Sequence, residues 1–286
     1  MPEPEGTRRS PQGVPYSDLP HIVNADGLHL FCRYWEPDGP PKALVYVAHG
    51  AGEHCGGYAD IAHSLTQHGI LVFAHDHVGH GQSEGERMEL KNFQIYVRDS
   101  LQHIDIMKAR YPKLAVFIVG HSMGGAISIL TACERPQDFT GVVLIGPMVQ
   151  MSAESATPFK CYWDCVFNTS SSPCVCQVEA YEKDELNYHG GLRVSFGMQM
   201  LDATSRIERE LPDIRWPFYI LHGDADKLCD IRGSRLLYNE AKSTDKKLKV
   251  YEEAYHLPQD WAETIESVLK EVSTCILERV PAPQTS

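Results

Sequence analysis

The chain has 286 residues, of which 43% are hydrophobic, and it carries a formal net charge of −12. This length suits one α/β domain, and the acidic charge argues against nucleic acid as a partner. A polar N-terminus and the lack of any run of about 18 apolar residues predict neither a secretory signal nor a membrane-spanning helix. Nine cysteines without a signal are typical of reduced thiols, so we expect a cytoplasmic protein whose membrane contact is peripheral.

Apolar runs and helical spacing alternate along the chain. Residues 1–19 are polar and proline-rich, and we expect a mobile arm there. Short apolar runs predict strands, at 21–24, 28–34, 42–48, 70–75, 115–119, 141–145, 218–221 and 247–251. Apolar residues three and four apart predict helices, at 58–68, 93–111, 125–133, 191–211, 232–241 and 261–279. The tail, 281–286, is predicted to be disordered.

This alternation predicts an α/β fold over residues 20–280, with a mostly parallel central sheet and helices on both faces. Residues 148–213 interrupt the alternation after a predicted strand. Ligands of open α/β sheets bind beyond the carboxyl ends of the strands, where this insertion falls, so we interpret it as a cap. Four cysteines in the cap follow no zinc-site spacing; they are Cys161, Cys165, Cys174 and Cys176.

The sequence Gly120-His-Ser-Met-Gly124 has the G-x-S-x-G pattern and stands between a buried strand and a helix. Glycines two residues either side of Ser122 let the chain bend without Cβ clashes, and the bend exposes the serine hydroxyl. The bare pattern would occur by chance in about one chain in ten of this length. The flanking strand and helix make chance a poor explanation, so Ser122 is the predicted nucleophile.

A serine nucleophile needs a base and a carboxylate that orients the base, and in this fold class they follow in the order Ser, Asp or Glu, His. His256 follows the last predicted strand and is the candidate base. Asp226 is the favoured acid because it lies deeper in its loop than Asp224; Asp230 is a weaker candidate, and any of these aspartates could instead cap the next helix. Cys229, close to Asp226, is either a reactive thiol or a small apolar filler.

Acyl transfer also needs N–H donors for the developing oxyanion. Met123 directly follows the nucleophile, and the glycine-rich segment at 49–52 follows the strand at 42–48, so the predicted donors are the amides of Met123 and Ala51. That segment lacks the G-x-x-x-x-G-K-[ST] pattern of phosphate loops, and no H-E-x-x-H frame surrounds His49. We therefore predict no metal and no cofactor, and a structural hydrogen-bonding role for His49 within its loop.

Five longer segments carry more specific information. They are His49-Gly-Ala-Gly-Glu-His54, Phe73-Ala-His-Asp-His-Val-Gly-His-Gly-Gln-Ser-Glu-Gly-Glu-Arg87, Gly120-His-Ser-Met-Gly-Gly-Ala126, Asp226-Lys-Leu-Cys229 and Glu253-Ala-Tyr-His256. Together they closely resemble the monoacylglycerol lipases, a family of α/β-hydrolases. The resemblance covers most of the chain apart from part of the cap and the C-terminal end, and the segment ending at Arg87 is far more specific than G-x-S-x-G.

The resemblance implies an α/β-hydrolase that cleaves monoacylglycerols, such as 2-arachidonoylglycerol, to a fatty acid and glycerol. It assigns nucleophile, acid and base to Ser122, Asp226 and His256, and the oxyanion donors to the two amides chosen above. It also aligns Tyr181 with a cap tyrosine that contacts glycerol. The implied partners are the lipid substrate and a membrane surface reached through an apolar cap, with a homodimer left open.

Two positions depart from the family. Gly57 stands where the family has an arginine that shapes the glycerol end of its pocket, and Gln259 stands where it has a second histidine. Both departures relax the demand for glycerol, which makes a broader carboxylesterase, lysophospholipase or acyl-thioesterase the alternative. A catalytically silent lipid-binding protein on the same scaffold is a third interpretation, against which the complete set of catalytic residues argues.

Overall fold

A computed structural model describes residues 8–150, 181–256 and 265–281 of the chain. Eight strands occur within these ranges: β1 (His21–Val23), β2 (His29–Trp35), β3 (Ala43–Ala48), β4 (Ile70–His75), β5 (Ala115–His121), β6 (Gly141–Ile145), β7 (Phe218–Gly223) and β8 (Lys246–Tyr251). Six described α-helices alternate with them: α1 (Ala59–Thr66), α2 (Gln94–Arg110), α3 (Met123–Glu134), α4 (Val194–Glu210), α5 (Ile231–Glu240) and α6 (Ile265–Leu277). The predicted elements are confirmed, with differences of a few residues at their ends.

The strands form one sheet in the order β1-β2-β4-β3-β5-β6-β7-β8. The pairs β1–β2 and β2–β4 are antiparallel, whereas all other neighbours are parallel. At the centre, Val45 of β3 pairs with Val72 of β4 and with Phe117 of β5. The predicted mostly parallel α/β sheet is therefore confirmed.

Helices cover both faces of the sheet, because alternate side chains of each strand enter two separate cores. Leu44 and Tyr46 of β3 belong to the core that contains side chains of α2, α3, α4 and α5. Val45 and Val47 belong to the opposite core, with α1 and α6. Every residue of β3 is buried, so the strand is a continuous apolar run. Burial of each large apolar side chain contributes about 1.5–3 kcal/mol to the stability of the sheet and its helices.

The carboxyl ends of the parallel strands meet at one edge of the sheet. The segments after four of them hold the predicted site: 49–54 after β3, Ser122 after β5, 224–230 after β7 and 252–256 after β8. The cap leaves β6 at the same edge. Its residues 148–150 and 181–213 are described, whereas 151–180, with the four cap cysteines, and 257–264, with Gln259, lie outside the described residues.

Residues 8–19 differ from the mobile arm that their composition predicts. Tyr16 is buried, its ring stacks on His29 at 4.8 Å, and its hydroxyl donates to the Gln82 carbonyl at 2.6 Å. Arg8 forms an ion pair with Glu84 at 3.1 Å. One buried ring and one ion pair thus attach this polar segment to the domain, and neither has a periodic sequence signal.

Among the described helices, none is long and apolar enough to cross a membrane. The five cysteines within the described ranges are unpaired: Cys32, Cys55, Cys133, Cys229 and Cys275. The predicted disordered tail lies outside the described residues, apart from Pro281.

Candidate active site

Ser122 occupies a sharp turn between β5 and α3. Its φ of 54° and ψ of −120° lie in a region that residues other than glycine seldom adopt. Backbone bonds hold the turn, because Ser122 N–H donates to the Ile145 carbonyl at 3.1 Å and the Ser122 carbonyl accepts from Met148 N–H at 3.0 Å. A Cβ at Gly124 would collide with the Ala48 carbonyl, which explains why this position needs glycine.

Asp226 lies in the loop after β7, and its side chain is completely buried. One carboxylate oxygen accepts the backbone N–H groups of Leu228 and Cys229 at 2.8 and 3.0 Å. The other accepts from His256 Nδ1 at 2.7 Å and from His222 Nε2 at 3.2 Å. Four donors therefore hold this carboxylate in one position.

The two competing carboxylates have other contacts. Asp224 is exposed and accepts the Glu253 N–H at 2.7 Å. Asp230 caps α5, because its side chain accepts the Arg232 N–H at 2.8 Å. Of the three predicted candidates, the structure brings Asp226 to His256.

Two opposing effects act on the Asp226 carboxyl. Burial by itself raises its pKa, but the charge of His256 and the hydrogen bonds from both histidines outweigh burial and hold the pKa well below its usual range. Asp226 is therefore ionised at neutral pH. Because it accepts the Nδ1 hydrogen of His256, the Nε2 nitrogen is left as the basic atom.

His256 lies beside the turn that holds Ser122, the predicted nucleophile. Its ring centroid is 4.9 Å from that of His121, the residue before Ser122. The Ser122 hydroxyl lies 3.9 Å from Cys229 Sγ. A catalytic triad uses one hydrogen bond between serine and histidine and one between histidine and aspartate. The described side chains form the second, between His256 and Asp226. The bond between serine and histidine is often long in unliganded sites. Burial and then the charge of Asp226 raise the pKa of the Cys229 thiol, which favours its packing role.

The loop after β3 is oriented by His49, which is completely buried. The backbone N–H of His77 donates to His49 Nε2 at 2.9 Å, so the ring hydrogen is on Nδ1, which donates to the Gly50 carbonyl at 2.8 Å. The C=O and N–H of a trans peptide point in opposite directions, so the Ala51 N–H faces away from His49. Burial lowers the pKa of His49 to about 4, which keeps this neutral tautomer at pH 7. The hydrogen bond predicted for His49 thus aims the Ala51 donor.

Met123, the other predicted donor, is the first residue of α3. The first N–H groups of a helix have no partner inside the helix, so this amide is available beside Ser122. The two donor segments also touch, because a Cβ on Gly124 would meet the carbonyls of Ala48 and His49. The segment that begins the loop of Ala51 therefore packs directly against the turn that contains Ser122 and Met123.

A cluster of the half-buried Glu53 and the buried Tyr58 and His121 also adjoins this site, and sequence reasoning did not find it. The Tyr58 hydroxyl donates to Glu53 Oε2 at 2.5 Å and lies 2.9 Å from His121 Nδ1. Since Tyr58 gives its one hydrogen to Glu53, His121 Nδ1 donates to Tyr58. His121 Nε2 donates to the His256 carbonyl at 3.3 Å. Both nitrogens of His121 thus carry hydrogen, which makes the ring a cation beside the Glu53 carboxylate.

The pKa shifts of this pair agree with the hydrogen-bond geometry. Burial by itself raises the pKa of Glu53, but the charge and hydrogen bonds of His121 and Tyr58 lower it to about 2. Burial by itself lowers the pKa of His121, but Glu53 raises it, with a net rise. Through His121 Nε2, the ion pair contacts the carbonyl of His256, the predicted base. The sequence signal was that Glu53 and His121 stand inside two of the resembling segments.

Tyr181, the predicted substrate-binding residue, packs against residues 49–54, which carry the predicted oxyanion donor Ala51 and are called the oxyanion loop below. Its hydroxyl donates to the Gly52 carbonyl at 2.8 Å. A cavity of about 30 Å³ lies beside Gly57 and is also lined by Glu53 and His121. A Cβ built on Gly57 meets nothing within 4 Å, so the glycine leaves open space there. Within the described part of the chain, no group of three or more His, Cys, Asp or Glu residues is arranged to hold a metal ion.

Comparisons with known proteins agree on the fold and on the type of enzyme. The family model described as Serine aminopeptidase, S33 matches residues 39–259. The Monoglyceride lipase of Homo sapiens is 51% identical, covering 100% of this chain and 99% of its own, and that of Mus musculus is 50% identical, covering 99% and 98%. Among solved structures, the monoacylglycerol lipase of Paleococcus ferrophilus has a TM-score of 0.72 at 26% identity, covering 86% of this chain and 98% of its own.

Proposed function

Because the chain belongs to the Serine aminopeptidase, S33 family, and matches monoglyceride lipases over its full length, we propose that it cleaves monoacylglycerols to a fatty acid and glycerol. The chain is a serine ester hydrolase with an α/β-hydrolase fold. The observation that carries the substrate is 51% identity to the human relative across 100% of this chain. The broader carboxylesterase is not favoured, because relatives that match this chain at 50–51% identity over nearly its full length are monoglyceride lipases.

In the proposed mechanism, Ser122 attacks the ester carbonyl while His256 Nε2 takes its proton. Asp226 holds the Nδ1 tautomer of His256 and stabilises the imidazolium that forms. The backbone N–H groups of Ala51 and Met123 stabilise the tetrahedral oxyanion. The imidazolium then gives its proton to the departing glycerol, and water hydrolyses the acyl-enzyme with His256 again as the base.

Parallel assays on three lipids test the substrate. We expect hydrolysis of 2-oleoylglycerol to be faster than that of oleoyl-lysophosphatidylcholine or oleoyl-CoA, and equal rates would contradict the monoglyceride preference. Ser122→Ala should lose nearly all turnover with little change in Tm, because the small side chain contributes little to the core. Folded wild-type protein that a fluorophosphonate probe fails to label would instead support the catalytically silent interpretation.

We also propose that the protein is cytoplasmic and contacts a membrane surface through its cap. The first turns of α4, within the cap, expose Val194, Met198 and Leu201 to solvent, at 55%, 58% and 41%. These residues are spaced three or four apart, so they share one side of the helix. An exposed apolar stripe of this kind can insert at the level of the lipid headgroups.

Vesicle sedimentation tests this surface. Met198→Asp should reduce the fraction of protein bound to phosphatidylcholine vesicles while leaving hydrolysis of soluble p-nitrophenyl butyrate unchanged, because the change affects only an exposed side chain. Asp202→Asn, at an exposed position of the same helix, is the control. Equal binding by wild type and Met198→Asp would contradict the proposal. Homodimer formation stays a prediction that sedimentation velocity can measure.

A further inference from the structure

Residues 181–189, in the described part of the cap, lie directly on the loop that carries the proposed oxyanion donor. We call them the cap segment. The Gly52 carbonyl, one residue after Ala51, accepts the Tyr188 N–H at 2.8 Å and the Tyr181 hydroxyl at 2.8 Å. A Cβ on Gly52 would lie 2.8 Å from the Tyr181 oxygen, so the segment and the loop pack without space between them.

A second contact joins this segment to the loop through His54 and Asp184. His54 Nδ1 accepts the Gly56 N–H at 3.2 Å, so His54 Nε2 carries the hydrogen and donates to Asp184 Oδ2 at 2.9 Å. Burial by itself raises the pKa of Asp184, but the hydrogen bond from His54 lowers it, with a net fall. The other Asp184 oxygen accepts the Leu186 N–H at 2.9 Å, which fixes the carboxylate within its own segment.

The cap segment is held together by its own hydrogen bonds. The Tyr181 carbonyl accepts the Asp184 N–H at 3.3 Å and the Asn187 side-chain amide at 3.2 Å. The Asp184 carbonyl accepts the Asn187 N–H at 3.1 Å. The segment then continues into α4, whose Phe196 is fully buried in the core. The segment is therefore a turn anchored to the domain, and it can hold the loop that it contacts.

We propose that Asp184 is a positioning residue of the oxyanion hole, acting through His54 on the Ala51 amide. The oxyanion loop is then held on both sides of that amide. His49 fixes the Gly50 carbonyl from the core, and the cap segment fixes the Gly52 carbonyl and His54 from the cap. Donors that are already oriented before charge develops stabilise the transition state most strongly. This role rests on the proposed function, because an oxyanion donor serves acyl transfer.

Kinetics of Asp184→Ala test the role, with Glu185→Ala as the matched control, since Glu185 is an exposed carboxylate in the same segment. The readouts are kcat and KM on p-nitrophenyl butyrate and the Ki of a trifluoromethyl ketone, whose adduct carries an oxyanion. We expect Asp184→Ala to lower kcat about tenfold and to weaken the ketone by a similar factor, with KM changed by less than about twofold. Glu185→Ala should match wild type.

Variants of His54 test the route of this effect. His54→Gln keeps an N–H donor close to the Nε2 position and should retain most of kcat, whereas His54→Ala should lose about as much as Asp184→Ala. The Asp184→Ala, His54→Ala double variant should be no slower than either single variant, because both break the same contact. If Asp184→Ala fails to fold, Asp184→Asn, which keeps the shape and one acceptor, should show a smaller loss of kcat in the same direction.

Three outcomes would overturn the proposal: unchanged kcat in Asp184→Ala, a rise in KM alone, or fully additive losses in the double variant. The soluble ester keeps this test separate from the identity of the substrate. A wild-type enzyme that hydrolyses p-nitrophenyl butyrate but not 2-oleoylglycerol contradicts the proposed substrate and leaves the role of Asp184 measurable. A wild-type enzyme that hydrolyses neither contradicts both.

Discussion

Two regions of the site, one around Asp226 and His49 and one around Gly57, differ in how many contacts hold their side chains. We call the first the catalytic end and the second the open end. At the catalytic end, four donors converge on Asp226, and His49 uses both ring nitrogens. At the other end, a cavity of about 30 Å³ adjoins Glu53, and a Cβ on Gly57 would meet nothing within 4 Å. The difference teaches that packed strand ends fix the positions of the predicted catalytic side chains, whereas the surroundings of Gly57 leave space for a larger side chain. Changes at the first end should abolish turnover, and changes at the second should alter substrate preference.

Asp226→Asn is the strongest test of the catalytic end. The amide no longer holds the Nδ1 tautomer of His256, so kcat on p-nitrophenyl butyrate should fall about 10⁴-fold. Asp224→Asn is the matched control in the same loop, and because its side chain is exposed its kcat should stay within about twofold of wild type. Similar losses in the two variants would show that the contact between Asp226 and His256 is not what orients the base.

Burial of several histidines also predicts that acid destabilises the protein. Burial lowers the pKa of His49 to about 4 and the pKa values of His80 and His103 to about 3, against about 6.5 in an unfolded chain. Below pH 6.5 the unfolded state therefore binds more protons than the folded state. Each histidine then lowers the free energy of unfolding by roughly 1.4 kcal/mol for every unit by which the pH is decreased. The pKa of His121 is raised, so its contribution to stability has the opposite pH dependence and is lost as the pH rises. The pKa of Asp226 is lowered, so its contribution to stability is lost only below about pH 4.

Urea unfolding at pH 7 and pH 5 measures this effect. We expect the free energy of unfolding at pH 5 to be several kcal/mol lower than at pH 7. His103→Gln is a useful control, because it removes one titrating ring from the buried set. The slope of stability against pH should then become shallower over the same range. Equal stability of the wild type at pH 7 and pH 5 would contradict the neutral, buried state of these histidines.

His49→Ala tests the orientation of the oxyanion loop. Without the Nδ1 donor, the Gly50 carbonyl loses its partner and the Ala51 amide loses its direction, so kcat should fall about 10²-fold, as when an oxyanion donor is removed. His49→Asn places an amide donor near the Nδ1 position and should recover much of this loss. A His49→Ala enzyme with normal kcat would show that the hydrogen bonds of His49 are not needed to orient the Ala51 amide.

Gly57→Arg should give the smallest effect, at the open end. A guanidinium beside Glu53 adds donors for glycerol hydroxyls, so KM for 2-oleoylglycerol should fall about threefold. The kcat on p-nitrophenyl butyrate should not change, since this ester has no glycerol. Gly57→Ala fits the same space without a donor and is the control. An equal fall in KM with alanine would mean that filling space, and not hydrogen bonding, selects the leaving group.

Much of the fold and part of the site could be predicted from local sequence. The strands and helices follow from apolar periodicity, which depends on neighbours a few positions apart. The turn at Ser122 follows from the steric need for glycine at Gly124. Asp226 and His256 could be selected because parallel strands bring their following loops to one edge of the sheet.

Contacts between distant segments could not be predicted in this way. His54 and Asp184 are 130 positions apart, and Tyr58 and His121 are 63 apart, so no local pattern links either pair. Residues 8–19 were expected to be mobile because their composition is polar, yet burial of the single Tyr16 ring attaches them.

The sequence by itself determined the order of the elements, the nucleophile turn and a short set of candidate acids and bases, because these depend on short-range sterics and periodicity. Tertiary structure decided which carboxylate meets His256, which tautomer His49 adopts and why His121 is charged. Protonation depends on burial and on nearby charges, and both arise only when segments far apart in the chain pack together.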